Sequence, residues 1–86
     1  MLPFRTEIRN SPKLQTLKVY LNDVTKDIEC KNLLDKISGI DFIEIQDSIS
    51  RNRVKENLTL FILENSDINR VKKLVENRLD EHFAFN

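Results

Sequence analysis

Hydrophobic and polar positions follow two different periods from Lys13 onward. In residues 14–22 (LQTLKVYLN), Leu17, Val19 and Leu21 share one parity while Lys18, Tyr20 and Asn22 share the other, which predicts a strand with one buried face. Residues 26–38 change period. Cys30, Leu33, Leu34 and Ile37 fall at i, i+3, i+4 and i+7, a single helical stripe. Thr25 or Asp27 is placed to cap this helix, Asp27 and Glu29 suit its positive end, and Gly39 follows where a left-handed residue stops a helix. Alternation returns in 42–49, where Ile43, Ile45 and Ile49 share a parity. Residues 50–57 (SRNRVKEN) are polar and cationic and predict a loop or flared hairpin. Residues 58–64 then place Leu58, Leu60 and Ile62 on one face and Thr59, Phe61 and Leu63 on the other. Ser66 or Asp67 caps a last helix that carries Ile68, Val71, Val75 and Leu79 along one side.

The resulting order is βαββα, with a short closing strand expected if the tail His82-Phe83-Ala84-Phe85 extends. A helix between the first two strands implies a crossover connection, and such crossovers are right-handed. Each helix has one apolar stripe, so each can cover one sheet face. The economical solution is an α+β, ferredoxin-like βαββα(β) sandwich, an antiparallel sheet with two helices on one face. Pro3 and Pro12 both lie in the first twelve residues, and Asn10-Ser11-Pro12 is a turn signal. Residues 1–12 are therefore expected to be an N-terminal arm and 13–86 the single domain.

Composition narrows the function more by exclusion than by direction. Eighty-six residues with 40% hydrophobic and 33% charged side chains suit one small globule. No apolar run reaches the roughly 20 residues of a membrane helix, and no secretory core follows Met1, so a cytoplasmic protein without a membrane partner is expected. One glycine cannot build a phosphate-cradling loop. His82 is the only histidine, with no local partner pattern for nucleophilic catalysis, and the tail position suggests exposure. Cys30 lies on the apolar stripe and reads as a small buried hydrophobe. The carboxylates sit at helix starts, turns and strand exteriors, where capping and solubility explain them. A single layer of helices on a sheet offers little volume for a deep pocket. The expectation is a non-enzyme with neither cofactor nor metal.

The passage Leu33-Leu34-Asp35-Lys36-Ile37-Ser38-Gly39-Ile40-Asp41-Phe42-Ile43-Glu44-Ile45 resembles the helix-end, glycine, strand passage of heavy-metal-associated domains. That resemblance implies the small ferredoxin-like metallochaperone fold over residues 17–85. The family's Cys-x-x-Cys would fall near Asp23-Val24-Thr25-Lys26, where neither cysteine is present. Copper(I) and zinc need thiolates or imidazoles at close range. A relative of this kind would be a degenerate metallochaperone-like domain that has lost metal transfer. Val19-Tyr20-Leu21-Asn22-Asp23-Val24 is similar to the first-strand signature of the RNA-recognition motif, with Tyr20 at the stacking position. Lys55-Glu56-Asn57-Leu58-Thr59-Leu60-Phe61 supplies one aromatic of that family's third-strand signature and no glycine.

Both resemblances direct attention to the sheet face away from the helices. Alternation sends Tyr20, Phe42, Phe61 and Leu63 there, and the ferredoxin-like strand order sets Tyr20 beside Phe61. Sizeable exposed apolar patches usually mark an interface. Three occupants compete: the N-terminal arm, folded back so that Leu2, Phe4 and Ile8 cover the patch; a protein partner or a second copy in a homodimer; or single-stranded RNA stacked on the aromatics. Tyr20, Phe42, Phe61 and Leu63 are the expected partner-binding anchors, with Arg51 and Arg53 as rim charge. Zero net charge disfavours nucleic acid and leaves protein binding as the leading expectation.

Overall fold

The computed structural model describes residues 3–45 and 58–84. Its elements are β1 (Phe4–Asn10), β2 (Gln15–Leu21), α1 (Asp27–Leu34), β3 (Ile40–Ile45), β4 (Leu58–Ile62) and α2 (Ile68–Ala84), with a 3-10 turn at Val24–Lys26 leading into α1. The architecture is α+β. Four strands form one antiparallel sheet in the order β1-β2-β4-β3. Because β4 runs antiparallel to both neighbours, β2 and β3 are parallel with β4 inserted between them.

Within residues 1–12, expected to be an arm ahead of the domain, Phe4–Asn10 instead form an edge strand of the sheet. β1 pairs along its whole length with β2, from Phe4 opposite Leu21 to Asn10 opposite Gln15. The Asn10-Ser11-Pro12 signal is a hairpin turn rather than a boundary, closed by mutual backbone bonds between Ser11 and Leu14. The strand is written in the sequence as Phe4, Thr6 and Ile8 alternating with Arg5, Glu7 and Arg9. Two flanking prolines conceal it.

The predicted inward set is buried. Leu17, Val19, Leu21, Ile43, Leu58, Leu60 and Ile62 join Cys30, Leu34 and Ile37 and the stripe Ile68, Val71, Val75 and Leu79 in one core. Phe4, Ile8 and Ile45 pack at its margin. Asp67 caps α2, its Oδ1 accepting the Asn69 N–H at 3.0 Å. The cap expected of α1 from Thr25 or Asp27 is absent, because Lys26 stands at its N-cap and makes no side-chain cap hydrogen bond. Asp23 accepts both the Thr25 N–H and its hydroxyl, and the 3-10 turn intervenes before α1.

Two expected boundaries move. The first helix ends at Leu34 rather than Ser38. Its last turn relaxes into bends in which Ile37 donates to the Leu34 carbonyl, and Ile37 still reaches the core. Gly39, at φ +103, therefore redirects the chain into β3 and does not cap the helix. At the C-terminus no strand forms from His82-Phe83-Ala84; α2 continues through all three residues. Phe83 lies four residues beyond Leu79 and so prolongs the helical stripe, stacking on Phe4 with centroids 6.1 Å apart. The edge that a closing strand would occupy is already filled by β1.

Candidate functional site

The side chains turned away from the helices are Arg5, Glu7 and Arg9 on β1, Thr16, Lys18 and Tyr20 on β2, Thr59 and Phe61 on β4, and Phe42 and Glu44 on β3, as the register requires. These residues divide into a charged half and an apolar half. Alternation thus assigned the face of Tyr20, Phe42 and Phe61 as expected, but register did not bring all three together.

In the charged half, Arg5 stands opposite Tyr20 and lays its guanidinium over the ring, 3.9 Å from the centroid. The Tyr20 hydroxyl donates to Glu7 Oε1 at 2.9 Å, and Arg9 approaches the same carboxylate at 3.3 Å. The Tyr20 bond, followed by the Arg9 bond, holds the Glu7 carboxyl below its usual range, against a small opposing effect of burial. Lys18 donates to Thr59 Oγ1 at 3.1 Å, and Thr16 donates to the Arg9 carbonyl. These bonds satisfy two threonines that are buried although they lie on this face, Thr59 being 2% exposed.

The apolar half lies at the other end. Phe42 is opposite Phe61, and the rings stack with centroids 4.3 Å apart and planes 12° from parallel. Phe42 is 50% exposed. The register slips between Ile40 and Phe42 and leaves Asp41 unpaired. This slip lets Ile40 pack inward while Phe42 points outward, although unbroken alternation would put both on one face. Leu63 follows Phe61 at the next outward position, its N–H donating to the Gly39 carbonyl at 2.9 Å. Extending the β2–β4 register one pair beyond Gln15 and Ile62 sets Leu14 opposite Leu63. Both leucines are exposed, Leu14 at 53% and Leu63 at 41%. Sequence reasoning overlooked Leu14, whose signal was only its parity with Thr16, Lys18 and Tyr20.

The expected neighbourhood of Tyr20 and Phe61 is corrected by the same register. Phe61 pairs with Thr16, so Tyr20 lies four residues farther along β2, roughly 13 Å at ~3.3 Å per residue. Arg51 and Arg53 lie outside the described residues. The proposed covering of the patch by Phe4 and Ile8 does not occur, because both side chains face the core.

An open cleft of about 730 Å³ lies where β1 and β2 meet α2, lined by Phe4, Thr6, Tyr20, Leu21, Glu76 and Asp80 among others. Sequence reasoning left no room for such a space; the wall that β1 adds beside α2 creates it. Burial raises the Glu76 carboxyl, but bonds from Lys72 at 2.8 Å and Thr6 at 2.6 Å outweigh it and hold the group below its usual range. Cys30 is fully buried, and burial pushes its thiol up to about 11. His82, expected to be exposed, instead meets Glu29 across the two helices. Among the described residues, no three His, Cys, Asp or Glu side chains are grouped as a metal site requires, and no helix is long and apolar enough to cross a membrane.

No family model matches this chain, and neither a curated protein nor a solved structure does so.

Proposed function

We propose that this chain is a small, non-catalytic, cytosolic protein-interaction module that works through the apolar half of its open sheet face. The carrying observation is the half-exposed Phe42 stacked on Phe61, with Leu63 and Leu14 exposed at the same end. Aromatic side chains held rigid by a neighbour lose little entropy on binding and dominate interface energetics. Arg5, Glu7 and Arg9 would form a polar border toward β1. We assign the fold to the ferredoxin-like class, with β1 filling the edge place that a closing C-terminal strand takes in the expected arrangement. The likeness to heavy-metal-associated domains then extends to architecture and not to metal transfer.

Single-stranded RNA is the weaker reading. Arg5 already covers Tyr20, and Phe42 and Phe61 stack on each other, which supports a consolidated hydrophobic patch over two separate base platforms.

The test compares proteins retained from cell extract by the wild-type chain and by Phe42→Ala and Leu63→Ala variants. Retained partners should be lost with affinity reduced about 30-fold or more, as for an interface anchor of ~2 kcal/mol. For Phe42→Ala the unfolding free energy should fall by the ~0.5–1.5 kcal/mol of the aromatic pair plus ~25 cal/mol for each Å² of apolar area that the half-buried ring loses. An unchanged set of bound proteins refutes the assignment. Salt-sensitive binding of mixed-sequence RNA, lost in Phe61→Ala, would favour the alternative.

A further inference from the structure

The outer edge of β1 has a polarity that fixes what can pair with it. Asn22 donates to the Pro3 carbonyl, and Ser11 and Leu14 bond each other, so pairs 3/22 and 11/14 are hydrogen-bonded. Bonded and non-bonded pairs alternate in an antiparallel ladder, which makes Arg5/Tyr20, Glu7/Lys18 and Arg9/Thr16 the bonded pairs between them. The backbone N–H and C=O groups of Phe4, Thr6, Ile8 and Asn10 consequently point to the free edge. Among the described residues no strand pairs there. Seven residues of regular strand without an internal proline or bulge form a template for another strand.

We propose that this edge pairs with the same edge of a second copy of the chain, antiparallel about a two-fold axis beside Thr6. Charge selects both occupant and register. With the axis beside Thr6, Arg5 of each copy stands opposite Glu7 of the other on the open face. Phe4 of each then meets Ile8 of the other on the helix-facing side. With the axis beside Glu7, two Glu7 carboxylates would oppose each other and Arg5 would oppose Arg9; with the axis beside Arg5, two Arg5 side chains would meet. Like charges directly opposite are destabilising in a sheet. An axis beside Ile8 pairs Glu7 with Arg9 but leaves Phe4 without an apolar partner, although Phe4 and Ile8 are both only partly buried at the core margin. Pairing beside Thr6 completes their burial and joins two four-stranded sheets into one of eight. It uses residues separate from Phe42, Phe61 and Leu63, so it stands independently of the open-face assignment.

The test is sedimentation equilibrium of the full chain over a wide concentration range, with amide exchange measured at low and high concentration. A dimer should form, and the Thr6 and Ile8 amides should exchange more slowly as it does. Arg5→Glu should raise the dimer dissociation constant about tenfold, because two opposed pairs become like-charged. The double variant R5E/E7R should restore it to near wild type, since the Thr6-centred register regains both ion pairs while the Ile8-centred register would set arginines together. Circular dichroism confirms that each variant is folded. A monomer at all concentrations overturns the proposal, as does a dimer indifferent to Arg5→Glu or one that R5E/E7R fails to restore. A dimer broken by Phe42→Ala but not by Arg5→Glu overturns it in favour of association through the open face.

Discussion

Replacing Gly39 with alanine tests the joint that orients β3 and hence Phe42. Gly39 has φ +103, a region that costs a residue with a Cβ about 1–3 kcal/mol. The conformation is held in place, because its carbonyl accepts the Leu63 N–H at 2.9 Å. A Cβ at this position would also lie 2.8 Å from Val71 Cγ2. Val71 is fully buried and β-branched, so it has little rotamer freedom with which to retreat, and overpacking of this kind costs ~1–3 kcal/mol. Restriction of the unfolded chain returns about 0.4–1 kcal/mol. The net expectation is a loss of about 2–4 kcal/mol, a large share of the ~5–15 kcal/mol that stabilises a domain. Urea unfolding followed by far-ultraviolet circular dichroism measures it, and a melting temperature lower by tens of degrees should accompany it. A cycle with Val71→Ala separates the two causes. Removing Cγ2 relieves the contact and leaves the backbone strain, so Gly39→Ala should cost about 1–3 kcal/mol less in the Val71→Ala background. A Gly39→Ala variant within ~0.5 kcal/mol of wild type would refute the whole argument, and strict additivity would refute the steric half.

Other outcomes follow from the charges and the thiol. Glu7, Asp23 and Glu76 are all held below their ordinary carboxyl values, so their stabilising contribution is present above about pH 4.5 and is lost as acid protonates them in the folded state. Stability should fall on acidification, and Glu76→Gln should flatten that fall, read from urea midpoints across pH; an unaltered acid limb in this variant contradicts the role given to Lys72 and Thr6. Cys30, with its thiol pushed up to about 11, should react with a disulfide reagent at neutral pH only as fast as the chain opens, and a rapid native reaction would show that the site is not sealed.

Among the described residues periodicity is legible, because burial imposes it residue by residue. The inward faces of β2 and β4 and the stripe of α2 are where alternation and the i, i+3, i+4 spacing put them. Segments whose local signals conflict were misread. Phe4, Thr6 and Ile8 alternate as clearly as Leu17, Val19 and Leu21, yet Pro3 and Pro12 suggested an arm. Pro12 falls in the hairpin turn and Pro3 just before the strand, two places outside the Phe4–Asn10 ladder where proline is tolerated. Phe83 was legible as the next member of the α2 stripe, but an aromatic-rich tail also resembles a strand. Only β1, already occupying the sheet edge, decides between the two.

The candidate site shows the limit of alternation more sharply. A period of two assigns a face but carries no information about the shift between neighbouring strands. That shift separates Tyr20 from Phe61 and joins Phe61 to Phe42. It is set by things that a single strand cannot display: the short Ser11–Leu14 turn that fixes β1 on β2, and the unpaired Asp41 that changes the parity of β3. Without that slip, Ile40 and Phe42 would compete for one face, and either an isoleucine would leave the core margin or the stacked pair would be lost. The unpaired Asp41 is offset by what the slip keeps, Ile40 against the core and the Phe42–Phe61 stack, so one irregularity both supports packing and leaves Phe42 half exposed beside Leu63.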